Sequence, residues 1–446
     1  MLAPEVMATH DDRSSRRWKV LLGILVVLAA SEFVARGPVR AARAADFNDF
    51  LSPYIQSGAW MKGVDPYSSQ NLVQLWPAQA QRPDFLAVDA ANGSLVYRRG
   101  IPTAYPLSAL VLIAPFALLP WQLVWPLWIA ITVAAFSITV ACVLRIARLE
   151  SHTNLTYGFL ALALALAPFH TGLAAGSIVT VAIAASAAGT WAAERRRDTL
   201  AAALIAVAVA LKPQIGLPFL FYYVVRRRWR IPATSLGLVA ILFTIAFARL
   251  TLNATPWWQN YLYDNRVLLG PGSLGDFSEA NPMRFGLVNF QVAAYTILHH
   301  RDWANLAAMA VAGTAGLVWL FLINKRNSRQ FDLLDLSTLT VLSLLPIYHR
   351  FYDAALLIFA LAWSLTALRG RLNVIAKAVL ALIIAVFLVP GGSALEQFQR
   401  SGHFGGLKNY WWWNEFVLPH ESWSVLLLSL LLLSAMYLNS SVESGR

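Results

Sequence analysis

The sequence predicts an all-α, polytopic membrane protein, a single bundle of about twelve transmembrane helices. Of its 446 residues, 58% are hydrophobic and 13% are charged, and the mean hydropathy is positive. Soluble domains carry about 25% charged residues, so the missing charge indicates a surface that faces lipid. Apolar stretches recur from Trp18 to Leu438. We therefore expect one membrane domain, residues 1–446, with loops attached.

The net charge of +12 does not indicate a nucleic-acid-binding protein. The basic residues form small clusters between apolar segments rather than one patch, which is how the topology of a membrane protein is encoded. The single cysteine, Cys142, lies in an apolar run, so neither a disulfide nor a cysteine metal site is expected,.

The predicted spans follow from the apolar segments in chain order. These segments cover roughly residues 18–36, 101–144, 155–170, 177–193, 199–225, 231–250, 304–324, 333–347, 352–368, 373–390 and 421–438. The first follows a basic stretch and shows no clear small-residue cleavage site, so we interpret it as a retained signal-anchor. Twelve spans with both termini in the cytoplasm result if 101–144 crosses once, after a re-entrant or broken helix, and if 199–225 turns near Lys212-Pro213 and crosses twice.

This topology places the basic clusters on the cytoplasmic side. They are Arg13/Arg16/Arg17/Lys19, Arg145/Arg148, Arg195/Arg196/Arg197, Arg226/Arg227/Arg228/Arg230, Lys325/Arg326/Arg329 and Arg369/Arg371. Three extracytoplasmic loops then face the other side, at residues 37–100, 251–303 and 391–420. The run from Gly37 to Ala45 is basic and rich in alanine, which indicates a helix along the membrane interface.

The acidic run Asp46-Phe47-Asn48-Asp49-Phe50 offers a general base at the membrane surface. A carboxylate beside a lipid headgroup can take the proton of an attacking hydroxyl. Asp and Asn are also favoured at helix caps, and the downstream Asp65-Pro66 is an ordinary turn dipeptide. Asp46 and Asp49 are thus the candidate catalytic residues, and either can be the base.

Two cationic features are predicted on the same side. Lys212 ends an apolar run, and a lysine at membrane depth marks a functional site unless it snorkels to the surface. Pro213 breaks the helix there and exposes a new helix N-terminus, which suits a phosphate. Near the end, Tyr348-His349-Arg350-Phe351-Tyr352-Asp353 forms a polar island in which Arg350 can bind phosphate and His349 can act as donor or acid,.

Several aromatic residues and one histidine belong to this extracytoplasmic side. Trp257 and Trp258 indicate either an interfacial aromatic belt or a platform for sugar or lipid. His170 lies at another turn on this side and can line the cavity, although a lone histidine is more often structural. Nothing resembles a nucleotide-binding loop, a zinc-spaced His pair or an acidic Asp-x-Asp motif, so no metal and no cofactor is expected.

In these features the sequence resembles the C-type membrane glycosyltransferases, specifically the polyprenyl-phosphate-mannose-dependent mannosyltransferases of glycosyltransferase family 87. The matching pieces are Asp49-Phe50, Gly63-x-Asp65-Pro66-Tyr67, Tyr105-Pro106, Ala114-Pro115-Phe116-Ala117-Leu118-Leu119-Pro120, Leu211-Lys212-Pro213, Arg226-Arg227-Arg228-Trp229 and Pro346-x-Tyr348-His349-x-x-Tyr352. The family's Gly-Gln-x-Asn motif reads Gly176-Ser177-Ile178-Val179 here. Spacing to Gly63 favours Asp49 as the family's aspartate, and a small shift would fit Asp46.

The resemblance implies a multi-pass enzyme of the cell membrane whose active site faces the extracytoplasmic side. Its donor would be a polyprenyl-phosphate-linked sugar, with mannose or a pentose as the sugar, and its acceptor a glycan or glycolipid. The aspartate would act as base in an inverting transfer. Lys212, Arg350 and Tyr352 would bind the donor phosphate, with His349 beside them, while Tyr67, Tyr105 and the other aromatic residues would contact substrate.

Two other functions remain open from the sequence. A transporter or flippase of lipid-linked saccharides would also need many spans and cations at membrane depth, but such proteins often show two related halves, and none are found. A ligase or polymerase of surface glycans would differ from the main reading in its acceptor alone.

Overall fold

The computed structural model describes residues 5–44, 49–78, 86–88, 95–97, 105–326, 330–403 and 406–443. The N-terminal part forms α1 (Glu5–Arg36), α2 (Pro38–Arg43), α3 (Leu51–Met61), α4 (Ser69–Gln74), α5 (Leu107–Ile113) and α6 (Trp121–Ile146). The middle forms α7 (Thr153–Ala165), α8 (Ala167–Ala174), α9 (Val179–Glu194), α10 (Asp198–Leu211), α11 (Pro213–Val225), α12 (Arg230–Leu252), α13 (Trp257–Leu269) and α14 (Phe290–Leu298). The C-terminal part forms α15 (Arg301–Arg326), α16 (Leu333–Leu342), α17 (Leu357–Ala367), α18 (Asn373–Phe387), α19 (Gly391–Arg400) and α20 (His420–Glu443).

The helical fold class is confirmed, with one small addition. Two short strands, β1 (Leu86–Val88) and β2 (Leu95–Tyr97), pair antiparallel in the loop between α4 and α5. The sequence between them contains Asn92-Gly93, a dipeptide typical of hairpin turns,. The signal was therefore present in the sequence, although the prediction contained no strand.

Six helical segments in the described part of the chain are long and apolar enough to cross a membrane, which confirms a multi-span membrane protein. They are Trp18–Arg43, Trp121–Ile146, Arg230–Leu252, Arg301–Arg326, Asn373–Arg400 and His420–Ser440. The pair α7 and α8, bent by 42°, makes a seventh if it counts as one span. Shorter apolar helices, α10, α11, α16 and Phe351–Ala367, lie where further spans were predicted. The count of twelve crossings stays a prediction.

Both predicted helix breaks are present. Residues 107–118 form α5 and a single 3₁₀ turn, and α6 starts only after Pro120. The second break separates α10 from α11 at Lys212, because Pro213 has no N–H to continue the first helix and its fixed φ suits the start of the second,. A Cβ on Gly216 would lie 2.4 Å from the Val209 backbone nitrogen, so only glycine permits this close approach of the two helices.

Three of the basic clusters meet at the end of the bundle opposite this second break. Arg145 at the end of α6 and Arg195 after α9 both lie over the Trp191 ring, at 5.8 and 5.6 Å. Arg228, which follows α11, pairs with Asp198 at 2.5 Å. The clusters were predicted to share one side of the membrane, and these contacts place three of them together.

A buried ion-pair group closes the same end. Asp335, at the start of α16, accepts hydrogen bonds from Arg226 and Arg326, which come from the ends of α11 and α15. Asp332 adds a second carboxylate to Arg326 at 2.8 Å. The side chains of Asp335, Arg226 and Arg326 are each 5% exposed or less. Charges that are taken out of water in this way tie the helix ends to one another.

Candidate functional site

Asp49 is fixed at the opposite end of the bundle, between α2 and α3. Its backbone N–H donates to the Ala175 carbonyl oxygen at 2.7 Å, which ties it to the turn after α8. The next residue, Phe50, is fully buried and stacks on Trp128 with ring centroids 3.7 Å apart. The carboxylate thus belongs to a rigid part of the fold, although a loop of the chain carries it.

Lys212 lies in the break between α10 and α11 and is 9% exposed. Its Nζ donates to Oδ1 of Asp353 at 2.7 Å, an ion pair in which the carboxylate is fully buried. A lysine that snorkels would instead extend its ammonium to the surface. The structure therefore places the charge inside the protein, where a charged partner is required.

The polar island of residues 348–353 is attached to the segment before α14. The Val288 N–H donates to the His349 carbonyl oxygen at 3.0 Å, and Leu287 and Arg350 form an isolated antiparallel bridge. Just after the bridge the chain enters a 3₁₀ helix, Phe351–Leu356. Two segments that are distant in the sequence thus hold this island in place.

Asp353 organises the island from within. Besides Lys212 it accepts hydrogen bonds at Oδ2 from the Arg350 backbone N–H and from Nδ1 of His349, both at 3.1 Å. The other ring nitrogen of His349, Nε2, lies 3.0 Å from the Ser343 carbonyl oxygen. Both neighbours of the imidazole are acceptors, so the arrangement suits a ring that is protonated on both nitrogens.

Tyr352 joins these groups to Asp49. Its hydroxyl donates to Oδ2 of Asp49 at 2.8 Å. Its ring lies 5.0 Å from the Lys212 ammonium and 5.6 Å from the Arg350 guanidinium, close enough for both cations to be attracted to it,. A Cβ on Gly172 would lie 3.1 Å from the Tyr352 Cβ, so a small residue is needed opposite the tyrosine. The Tyr352 phenol therefore contacts Asp49, the predicted base, and lies beside Lys212 and Arg350, the two cations predicted to bind phosphate.

Two further tyrosines complete the surroundings. Burial raises the pKa of Tyr105 and of Tyr348, and the Asp49 carboxylate raises both further, while Arg350 lowers them. Both phenols therefore stay neutral and can donate hydrogen bonds near neutral pH. These electrostatic interactions also show that the two tyrosines lie close to Asp49 and Arg350.

The remaining predicted aromatic residues lie one layer away. The Tyr67 hydroxyl donates to the Tyr105 carbonyl oxygen at 2.8 Å, and its ring lies 6.5 Å from that of Trp257. Trp257 is 8% exposed and Trp258 is 52% exposed, and their ring centroids lie 5.5 Å apart. Tyr67 thus contacts the backbone at Tyr105 and lies near Trp257. Contact of either residue with substrate stays a prediction.

Asp65 holds the same layer together. Its carboxylate accepts from the Tyr67 backbone N–H at 2.9 Å and from Asn260 of α13 at 2.6 Å. Burial raises the pKa of Asp65, whereas the hydrogen bonds from Tyr67 and Asn260 lower it. The contacts describe a structural turn residue, as the Asp65-Pro66 dipeptide indicated.

The structure does not bring His170 into this group. A helix turns by about 100° per residue, so His170 and Gly172 point to nearly opposite sides of α8. The Gly172 side meets Tyr352, and the His170 side meets Gly37 at the corner between α1 and α2. Asp46, the other candidate base, lies outside the described residues.

Sequence reasoning noted Asp353 only as a flanking residue and did not assign it a role. Its signal was its position four residues after His349, together with the requirement that a buried Lys212 find a carboxylate. Within the described residues, no group of three His, Cys, Asp or Glu side chains is placed to hold a metal ion.

The comparison with known families was made with this geometry in hand. The sequence model of glycosyltransferase family 87 matches residues 103–347, which is more than half of the chain. No curated protein and no solved structure matches the chain. The matched region includes the Lys212 break and ends just before His349, while Asp49 precedes it. The chain therefore belongs to glycosyltransferase family 87.

Proposed function

We propose that this membrane glycosyltransferase moves a sugar, with mannose expected, from a polyprenyl-phosphate donor to a glycan or glycolipid acceptor. The observation that carries the proposal is the group around Tyr352. A carboxylate accepts the phenol at 2.8 Å, and two cations lie within 6 Å of the same ring. The proposed base and the proposed phosphate-binding cations thus surround one phenol, which supports a transfer from a phosphate-linked donor.

Asp49 is the proposed general base. Its Oδ2 accepts the Tyr352 hydroxyl, which orients the carboxylate and leaves Oδ1 for the acceptor hydroxyl. A base held in this way contributes by its position as well as by proton transfer. Tyr352 is then a positioning residue for the base and, through its ring, for the two cations.

The charge of the group suits a phosphate. Lys212, Arg350 and a protonated His349 bring three positive charges, and Asp49 and Asp353 bring two negative ones, which leaves one positive charge in excess. Among the described residues Arg350 shares no ion pair with a carboxylate, so its guanidinium is the proposed main phosphate ligand. Lys212 and His349, both bound to Asp353, add fixed positive charge nearby.

The proposed reaction keeps this charge constant. The acceptor oxygen attacks the anomeric carbon and inverts it, while the bond between that carbon and the phosphate oxygen breaks. The electron pair of the broken bond stays on the phosphate, which gains one negative charge. The acceptor proton moves to Asp49, whose carboxylate loses its negative charge. Arg350 and Lys212 interact with the phosphate more strongly as its charge grows, which favours the transition state over the bound donor.

The contacts at the other end of the bundle favour an enzyme over a flippase. Alternating access would have to open the end that Arg226, Arg326 and Asp335 close. Opening it would break the hydrogen bonds that the buried Asp335 carboxylate accepts from two arginines. We accordingly propose that the site opens only to the side of Asp49, which we expect to be the extracytoplasmic side of the cell membrane.

The experiment is a transfer assay with the purified protein in detergent. Polyprenyl-phosphate-mannose and a glycolipid acceptor are added, and release of polyprenyl phosphate and extension of the acceptor are measured together. The proposal predicts equal amounts of both products, with inverted configuration at the anomeric carbon. In liposomes, movement of intact donor across the bilayer without bond cleavage would instead establish a transporter.

A further inference from the structure

Tyr348 has a hydroxyl that the proposed reaction does not yet use. The Tyr352 hydroxyl is bound to Asp49, whereas the Tyr348 hydroxyl donates to no acceptor within the part of the chain that the structure describes. The residue is half-buried, and among the described residues its oxygen is not one of the polar atoms that are both unpartnered and closed off from the outside. A phenol beside the catalytic group thus has a hydrogen bond to give.

Tyr348 and Arg350 project from the same side of the chain. Residues 348 and 349 lie outside any helix or turn, and Arg350 is extended, with φ −84° and ψ 162°, and takes part in a β-bridge. Alternate side chains of an extended segment point to the same side. His349, between the two, is fully buried, whereas Tyr348 and Arg350 are both half-buried. Since Arg350 lies over the Tyr352 ring, Tyr348 faces the catalytic group as well.

The spacing of Tyr348 and Arg350 suits one phosphate between them. Two residues of extended chain span about 6.6 Å, a width that a phosphate can bridge when it accepts a hydrogen bond of about 2.8 Å on either side. Burial raises the pKa of Tyr348. Among the charged groups that act on the phenol, Arg350 has the largest effect and lowers the pKa, ahead of Asp49 and Asp353, which raise it. The phenol therefore stays neutral near neutral pH and lies within the influence of the arginine.

The loop that follows α13 forms a wall behind the Tyr348 ring. The Gly275 N–H donates to the Leu268 carbonyl oxygen at 3.0 Å, which holds the loop against the end of α13. A Cβ on Gly275 would lie 2.7 Å from that oxygen and 3.3 Å from Cδ2 of Tyr348. A larger residue here would have to displace either the loop or the ring. The glycine therefore lets backbone pack directly on Tyr348.

Asp276, which is fully buried, holds this wall in shape. Its Oδ2 accepts from the Gly272 N–H at 2.7 Å and from the Ser278 hydroxyl at 2.6 Å, and its Oδ1 accepts from the Ser278 N–H at 3.0 Å. Arg301, at the start of α15, lies 3.6 Å from Asp276 and donates to the Leu269 carbonyl oxygen at 2.7 Å. The wall is thus fixed from α13 and from α15, which lowers the entropy lost when the phenol binds a ligand.

We propose that Tyr348 is a further ligand of the donor phosphate. Its hydroxyl donates to the phosphate that Arg350 binds from the other side, while the Gly275 backbone keeps the ring in place. A neutral phenol adds a hydrogen bond without adding charge, and that bond strengthens as the phosphate gains its second negative charge. The inference rests on the proposed function, because it assigns one more contact of the same phosphate.

The test is titration of the purified full chain in detergent with polyprenyl phosphate and with polyprenol of the same length, which lacks the phosphate. Tyr348→Phe removes the hydroxyl but keeps the ring against Gly275. We expect the affinity for polyprenyl phosphate to fall about tenfold to hundredfold, the value of one hydrogen bond to a charged group. The affinity for polyprenol should not change. The matched control Tyr263→Phe removes a hydroxyl from a side chain of α13 that is 63% exposed, and it should bind both lipids like wild type.

Wild-type affinity of Tyr348→Phe for polyprenyl phosphate would overturn the inference and leave the proposed function intact. An equal loss of affinity for both lipids would also overturn it, because the hydroxyl would then serve the fold or the prenyl chain rather than the phosphate. If wild-type protein binds polyprenyl phosphate no better than polyprenol, the proposed function itself fails. The two failures are therefore distinguishable in one set of titrations.

Discussion

Removal of either partner of the buried Lys212–Asp353 pair should destabilise the protein by different amounts. Lys212→Met leaves Asp353 with two hydrogen bonds, from His349 and from the Arg350 backbone. Its cost is that of one charged hydrogen bond, about 1.5–3 kcal/mol. Asp353→Leu leaves the buried Lys212 ammonium and the His349 ring without their carboxylate, so we expect the upper end of the 3–5 kcal/mol range for a broken buried pair.

The double variant Lys212→Met, Asp353→Leu separates stability from function. It removes both charges and fills the space with apolar side chains of similar size, a change that often restores stability for buried ion pairs. We expect it to be more stable than Asp353→Leu alone by about 1–3 kcal/mol. It should nevertheless transfer sugar much more slowly than wild type, because one of the two cations proposed to lie near the donor phosphate is gone.

The assay is equilibrium unfolding of the four proteins in mixed detergent, with transfer activity measured on the same preparations. The pair Arg228–Asp198 provides the matched control, since its side chains are 25% and 33% exposed and a double-mutant cycle there should give a coupling below about 1 kcal/mol,. The reasoning is refuted if the two single variants cost the same, if the Lys212–Asp353 cycle is additive, or if the double variant transfers sugar as fast as wild type.

Three further predictions follow from the contacts. Tyr352→Phe removes the hydrogen bond to Asp49 but keeps the ring. We therefore expect kcat to fall about tenfold while KM for the donor changes little. A loss of donor binding without a change in kcat would contradict the positioning role. Gly216→Ala should prevent folding or lower the thermal midpoint strongly, because the new Cβ would meet backbone, and unchanged thermal unfolding would show that the helices can separate there at low cost. Burial raises the pKa of Asp65 above its value in the unfolded chain, so its contribution to stability is greatest at acid pH and is lost as pH rises through the folded-state pKa,. The thermal midpoint of wild type minus that of Asp65→Asn should therefore fall as pH rises above the ordinary aspartate pKa of about 4, and a rising difference would refute the assignment.

The sequence predicted the helical class and the breaks because these depend on local chemistry. Pro213 cannot continue α10, and Pro120 immediately precedes α6, whatever the rest of the chain does,. Three of the six basic clusters were predicted on one side and lie together, because arginines near helix ends follow the topology of the whole bundle,. These features need no knowledge of which helices touch.

The pairings within the site could not be predicted in the same way. Asp49 and Tyr352 are separated by 303 residues and Lys212 and Asp353 by 141. A buried lysine requires some carboxylate, but only the packing of the helices decides which one. Two adjacent tryptophans illustrate the same limit. Trp257 is buried and Trp258 is exposed, although the sequence alone gives no reason to tell them apart.

The sequence left both Asp46 and Asp49 as candidate bases, with the spacing to Gly63 favouring Asp49, and the contact with Tyr352 supports Asp49. The most direct test compares Asp49→Asn with Asp46→Asn in the transfer assay, with donor binding measured in parallel. The account predicts that Asp49→Asn lowers kcat by about 10²–10⁴ while donor still binds, and that Asp46→Asn stays within a few-fold of wild type. Full activity of Asp49→Asn, or the larger loss in Asp46→Asn, would contradict it.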